Sequence, residues 1–165
     1  MKNKTLILII LTLGFGIKTF ACNCSIPKSL ELVQEYAYEN SECIFLGEVF
    51  EVNKADNSFK IRIIESFKSN ENGMIYEGKY DEQCGPIIDT KGQWLIYADL
   101  DSENILNVSS CGISRNFKNP EFNVTIEGLL MTEFKGYGKK YTDKFNEKAK
   151  RELIEEIEKL RAKKG

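Results

Sequence analysis

The fold is decided by residues 43–63, which read CIFLGEVFEVNKADNSFKIRI. The first half is a strand run that starts with consecutive apolar residues, which is typical of a strand covered on both faces. The polar turn Asn53–Ser58 follows, and strict alternation then places Phe59, Ile61 and Ile63 on one face. Because a short polar turn joins the two runs, the stretch predicts a β-hairpin.

Three more strand-like runs follow this hairpin. They are Met74–Tyr80, Trp94–Ala98, which carries the strongest strand signal, and Asn104–Ser109. Turn and loop residues separate them. Five short antiparallel strands at this spacing predict a small barrel or a sandwich, so the fold is expected to be mainly β.

A helix is predicted before the hairpin. Ser29 can cap it through its hydroxyl, and it runs to about Asn40. Its apolar stripe is expected to consist of Leu30, Val33, Tyr36 and Ala37.

The C-terminal part, residues 119–165, is predicted to be a helical extension. Asn119-Pro120 can open a short helix to about Leu130, and a charged amphipathic helix follows from about Thr142 to Lys164. Its apolar stripe consists of Phe145, Ala149, Leu153, Ile157 and Leu160. This stripe favours packing on the strands, with a charged outer face in solvent. A partner-binding or membrane-surface helix is the alternative, which is disfavoured because a basic face would be interrupted by Glu152, Glu155, Glu156 and Glu158.

Residue types argue against an enzyme. The chain contains no histidine, which excludes histidine-based triads, general bases and metal sites. None of the five cysteines forms a C-x-x-C pair, so neither a zinc ribbon nor a thioredoxin motif is present. Carboxylate pairs or a reactive Cys43 would remain for an enzyme, but no spaced carboxylate pair has an acid/base role. The prediction is a protein without catalytic activity or cofactor.

Residues 1–21 predict a secretory signal peptide. A basic start precedes the apolar run Thr5–Gly16, and Thr19-Phe20-Ala21 carries small residues at both positions that a signal peptidase reads. A retained membrane anchor is disfavoured because the run is shorter than the roughly 20 residues that span a bilayer. A lipoprotein is the second alternative, since Cys22 follows the cleavage point, but Thr19 and Phe20 are unusual for a lipidation signal.

Cleavage after Ala21 has consequences for charge and compartment. It removes three lysines and no acidic residue, so the net formal charge changes from −2 to −5. An acidic body disfavours nucleic acid as the partner, and no stable membrane insertion is expected. The protein is predicted to be secreted to the periplasm, the cell surface or the medium, where its cysteines are candidates for disulfides.

The mature chain would begin with Cys22-Asn23-Cys24-Ser25-Ile26. Cys22 and Cys24 are separated by a single residue and cannot bond each other without strain. They therefore need two different partners. Five cysteines allow fifteen ways of forming two bonds, so spacing alone selects none of them.

This mature start and the pattern that follows resemble the tissue inhibitors of metalloproteinases, and more closely their single-domain bacterial relatives. The matching features are the Cys-x-Cys start, the helix leading into Ile44–Val49, Phe67-Lys68, Cys84-Gly85, Trp94–Ala98 and Ser110-Cys111. The resemblance covers roughly residues 22–115. It implies a netrin-like domain over residues 22–118, with a five-stranded OB-like Greek-key barrel and flanking helices.

The resemblance also implies a disulfide pattern. The bonds would be Cys22–Cys84 and Cys24–Cys111, which leaves Cys43. A buried thiol that packs as a small apolar side chain is the favoured interpretation of Cys43, and an intermolecular disulfide is the alternative.

The implied function follows from the chemistry of the new N-terminus. A free α-amine and the carbonyl oxygen of the same residue can chelate a metal ion, and the zinc of a metalloprotease keeps one coordination position open. By the resemblance, Cys22 would occupy that position, Asn23 would enter the specificity pocket, and Cys22, Asn23, Cys24, Ser25 and Ile26 would form the inhibitory ribbon. The implied partner is a secreted zinc metalloprotease. The alternative is an extracellular binding or structural module without inhibitory activity.

Overall fold

The computed structural model describes residues 29–69, 72–81, 86–108, 112–120 and 139–164, with the side chains of the last segment described from Asn146 onward. The elements are, in order, α1 (Leu30–Asn40), β1 (Cys43–Asn53), β2 (Ser58–Lys68), β3 (Ile75–Lys79), β4 (Gly92–Leu100), β5 (Leu106–Val108), β6 (Arg115–Asn116) and α2 (Lys139–Lys164). The fold is mainly β, as predicted. The predicted helix from Asn119 to about Leu130 lies largely outside the described residues.

Five strands close into a barrel in the order β1-β2-β3-β5-β4, because β1 pairs with β2 along one edge and with β4 along the other. The short strand β6 adds to β4 through the pairs Trp94–Asn116 and Leu95–Arg115. The architecture is consistent with the predicted OB-like barrel.

One strand pair differs from the expectation that all strands are antiparallel. β3 and β5 pair in parallel, with Gly78 opposite Leu106 and Lys79 opposite Asn107. The reason is topological, since β3 reaches β1 through β2 and β5 reaches β1 through β4. Each is antiparallel to a strand that is itself antiparallel to β1, so β3 and β5 run in the same direction.

Both faces are buried at the start of β1, as the apolar start of residues 43–63 predicts, and also along Trp94–Ala98 of β4. The barrel interior receives the inward side chains of these two strands, namely Cys43, Phe45, Val49, Trp94, Ile96 and Ala98. The alternate side chains of the same strands point outward and pack in a second apolar layer, namely Ile44, Leu46, Leu95 and Tyr97. This outer layer is where the helices attach.

The two helices cover the outer layer. From α2 it receives Leu153, Ile157 and Leu160, which confirms these positions of the predicted stripe. From α1 it receives Val33 and Ala37, but the predicted Tyr36 is wrong, since its side chain is 66% exposed. The buried face of α1 follows the four-residue step from Val33 to Ala37, and Tyr36 is rotated away from it.

Polar contacts fix both ends of α1. Ser29 is the N-cap, as predicted, and its hydroxyl accepts a hydrogen bond from the Leu32 N–H at 3.4 Å. The last turn of α1 has no basic residue of its own. Instead, the Lys68 ammonium at the end of β2 donates to the carbonyl oxygens of Tyr38, Glu39 and Ser41, at 2.8, 3.3 and 2.6 Å. A lysine from the barrel thus supplies the positive charge that a helix C-terminus favours.

The C-terminal end of α2 is also fastened to β2. The Arg161 guanidinium donates from Nε and Nη2 to the Glu65 carboxylate, at 3.0 and 2.7 Å. Lys164 Nζ donates to the Ser66 carbonyl oxygen at 2.6 Å. Both helices therefore end on the same strand.

We expect the substitution Lys68→Met to lower the free energy of unfolding by about 2 kcal/mol, because three carbonyl oxygens at the end of α1 lose a charged donor. Urea denaturation measures this change. The matched control is Lys91→Met, which removes an exposed lysine from the segment before β4 and should leave stability within about 0.5 kcal/mol of the parent. Equal effects of the two substitutions would contradict the proposed role of Lys68.

Candidate functional site

The predicted inhibitory residues and their disulfide partners lie outside the described residues; they are Cys22, Asn23, Cys24, Ser25, Ile26, Cys84 and Cys111. The elements to which they are joined are described. Cys84 follows the last residue of β3 by five positions, Cys111 follows the last residue of β5 by three, and Ile26 precedes Ser29 by three. These attachment points limit where the predicted ribbon can lie.

The parallel pairing of β3 with β5 brings two of the attachment points together. Adjacent strands lie about 4.8 Å apart, and the chain leaves parallel strands toward the same end of the sheet. The segments leading to Cys84 and Cys111 therefore start side by side, at Lys79 and just beyond its partner Asn107. The predicted partners of Cys22 and Cys24 follow these two neighbouring exits.

Backbone and side-chain contacts tie the same end of the barrel to the turn between β1 and β2. Asn57, which has a φ of 56°, accepts a hydrogen bond at its carbonyl oxygen from the Tyr80 N–H at 3.0 Å. Asparagine tolerates this left-handed conformation better than most residues. Lys54 of the turn forms an ion pair with Asp89 of the β3–β4 connection at 2.9 Å. The residues that follow β3 thus contact the β1–β2 turn at this end of the barrel.

Cys43, which the implied disulfide pattern leaves without a bond, lies in the barrel interior with 0% exposure, in the same cluster as Phe45 and Ile96. A side chain at this depth is inaccessible to a second chain. Burial therefore favours the interpretation of Cys43 as a packed apolar side chain over an intermolecular disulfide.

The structure also brings together a charged cluster that sequence reasoning missed. Glu156 of α2, expected among solvent-facing glutamates, is only 2% exposed. Its Oε1 accepts a hydrogen bond from the Tyr97 hydroxyl at 2.6 Å, and its Oε2 accepts one from Gln34 Nε2 at 3.1 Å. The same carboxylate forms an ion pair with Arg115. Glu156 thus contacts α1, β4 and β6 at once.

The protonation states of this cluster follow from burial. Burial lowers the pKa of the Arg115 guanidinium to about 10, which still leaves it charged at neutral pH. Burial raises the pKa of the Tyr97 hydroxyl, so the hydroxyl stays protonated and donates a hydrogen bond to the Glu156 carboxylate. A charged guanidinium and a neutral hydroxyl are both suited to an ionised Glu156.

A helical spacing signal for Glu156 does exist. Ala149, Leu153, Glu156 and Leu160 follow one another at steps of four, three and four residues, which places all four on one face of α2. The sequence alone does not show which buried cation meets this carboxylate, because Arg115 lies in a different part of the chain. A glutamate on a helix is usually solvent-exposed, so this spacing alone does not predict that Glu156 is buried.

No three histidine, cysteine, aspartate or glutamate side chains come together as a metal site within the described ranges. Among the helices that the structure describes, none combines the length and the apolar character needed to cross a bilayer.

A comparison with models of known protein families finds no match, and a comparison with curated proteins finds no significant relative.

We expect the protein to be exported, and we expect non-reducing peptide mapping to show Cys22 bonded to Cys84 and Cys24 bonded to Cys111. Each bond would close a loop of more than sixty residues, worth roughly 4 kcal/mol in the chain-entropy model. The N-terminal peptide should begin at Cys22 without a lipid. A peptide that joins Cys43 to any other cysteine, or one that joins Cys22 to Cys111, would contradict the pairing.

Proposed function

We propose that the exported protein inhibits secreted zinc metalloproteases through its N-terminal ribbon, residues 22–26. The free amine and the carbonyl oxygen of Cys22 chelate the zinc ion of the protease, and Asn23 enters the adjacent specificity pocket. The observation that carries this proposal is the parallel pairing of β3 with β5, which starts the segments toward Cys84 and Cys111 next to each other.

The short distance that a disulfide spans links the strand pair to the ribbon. The Cα atoms of Cys22 and Cys24 can be at most about 7 Å apart, and a disulfide joins Cα atoms about 4.4–6.8 Å apart. Two disulfides from this short segment therefore need partner cysteines that are close to each other. The neighbouring parallel strands β3 and β5 end at the same side of the sheet, so the segments leading to the two partner cysteines start close together.

A ribbon bonded in this way would have little freedom. Two disulfides would hold its first three residues, and the capped start of α1 at Ser29 holds the chain that follows. Pro27 between them restricts the backbone further. Pre-ordering a binding segment removes the entropy cost of ordering it in the complex, which is why a protein would bond its N-terminus twice.

The chelating amine must be neutral, because a protonated amine has no lone pair to donate. A model α-amine titrates at pH ~7.7–8.0, so an appreciable neutral fraction exists at neutral pH. Inhibition should therefore strengthen as the pH rises through this range.

The alternative is a secreted module that binds other proteins or supports a structure without inhibiting a protease. In that case the two disulfides contribute stability alone. Activity against proteases separates the two functions.

We expect the protein with one glycine added before Cys22 to inhibit at least about 100-fold more weakly than the native protein, because the added residue moves the amine away from the carbonyl of Cys22. Loss of one zinc contact in a site that excludes water accounts for an effect of this size. The measurement is inhibition of a panel of secreted zinc metalloproteases.

A protein with one glycine added after Gly165 is the control and should inhibit like the native form. Equal inhibition by the native and N-terminally extended proteins would contradict chelation. No inhibition of any protease by the native protein would instead support the binding or structural module.

A further inference from the structure

The Glu156 carboxylate is a single point at which the C-terminal helix meets both chain segments that flank the proposed ribbon and its anchors. One segment is α1, whose Gln34 donates to Glu156 Oε2 at 3.1 Å. The other is the segment after Cys111, whose Arg115 forms the buried ion pair with Glu156. A carboxylate in this place can fix the two segments relative to each other.

On the α1 side, only a few residues separate the Glu156 contact from the ribbon. Gln34 lies five positions after the N-cap Ser29, which is about one and a half turns of helix. The ribbon residue Ile26 precedes Ser29 by only three positions. The contact between Gln34 and Glu156 therefore acts close to the base of the ribbon.

On the other side, the Arg115 segment is anchored to β4 by several contacts. Its neighbour Ser114 accepts a hydrogen bond at Oγ from the Tyr97 N–H at 2.8 Å and donates to the Tyr97 carbonyl oxygen at 3.2 Å. The Tyr97 hydroxyl then donates to Glu156 Oε1. Arg115 lies only four positions after Cys111, the proposed anchor of Cys24.

We propose that Glu156 is a positioning residue, through which α2 sets the placement of the inhibitory ribbon by holding α1 and the Arg115 segment together. The consequence for inhibition rests on the function proposed above, whereas the coupling between the three segments does not. The C-terminal helix is then part of the inhibitory unit rather than a separate extension.

The charge is essential to this role. Arg115 is 1% exposed, and a buried cation that loses its counter-ion carries a large desolvation cost. Replacing Glu156 with glutamine keeps the size and a hydrogen-bonding oxygen but removes the charge. The structure then lowers this cost by loosening α2 and the segments that Glu156 holds.

The test is amide hydrogen exchange on the full chain carrying Glu156→Gln. We expect exchange at Val33–Ala37 and at Arg115–Phe117 to accelerate at least tenfold, while Phe59–Ile63 in β2 stays unchanged. The control Glu155→Gln removes the same charge from the preceding position, which is exposed, and should leave all three segments unchanged. Uniform acceleration of every segment, or none, would overturn the coupling.

A milder variant keeps the proposal testable if Glu156→Gln does not fold. Gln34→Ala removes the α1 contact and leaves the buried ion pair intact. It should accelerate exchange at Val33–Ala37 and leave Arg115–Phe117 unchanged. Unchanged exchange at Val33–Ala37 would overturn the α1 half of the proposal.

The inhibition assay separates this proposal from the proposed function. If the native protein inhibits a protease, Glu156→Gln should weaken inhibition at least tenfold and Glu155→Gln should not. Equal inhibition by both variants would overturn the positioning role and leave chelation standing. If the native protein inhibits nothing, the proposed function fails and the positioning role with it, while the exchange measurement still decides the coupling.

Discussion

The antiparallel pairing of β1 with β4 holds the barrel and the helices in place. It closes the barrel, and it aligns the start of β1 with the middle of β4, where side chains are buried on both faces. A slip of one residue in this register would exchange the inward and outward rows, bringing Tyr97 into the barrel and Ile96 under the helices. Two glycines within the strands leave room for side chains of the neighbouring strand β2. A Cβ at Gly47 would lie 2.6 Å from the Ile61 side chain, and one at Gly78 would collide with the Phe59 ring.

The helices depend on this pairing because their buried apolar side chains pack against its outer row, together with Phe67 of β2 and Ile113. The helices α1 and α2 pack on the outward-facing side chains of β1 and β4, which include Ile44, Leu95 and Tyr97. Apolar packing alone does not fix the position of a helix along this layer. Directional contacts do so: Lys68 at the end of α1, Arg161 at the end of α2, and the buried Glu156 between them. The C-terminal helix is therefore integrated with the barrel through a shared apolar layer and a shared charge cluster.

Local patterns predicted the parts of the fold that depend on neighbouring residues. The alternation from Phe59 to Ile63, the apolar run at Trp94 and the Ser29 cap each express a preference that the chain has before it folds. The parallel pairing of β3 with β5 arises only when the barrel closes, so no local sequence pattern predicts it. Glu156 is similar, because its burial depends on Arg115, a cation from a distant part of the sequence. The predicted site residues lie outside the described residues, so the ribbon and its disulfides remain predictions that the β3–β5 pair supports.

One face of β1 and β4 lines the barrel interior and the other lies beneath the helices, so barrel and helices are expected to unfold as one cooperative unit. Equilibrium unfolding in urea tests this cooperativity, because two signals report on the two faces. Fluorescence of Trp94, the only tryptophan in the chain and 5% exposed, reports on the barrel interior. Far-ultraviolet circular dichroism is dominated by the helices. A cooperative unit predicts that both signals change at the same urea concentration with the same slope. Loss of the helical signal at a lower concentration, with Trp94 fluorescence still native, would contradict the claim.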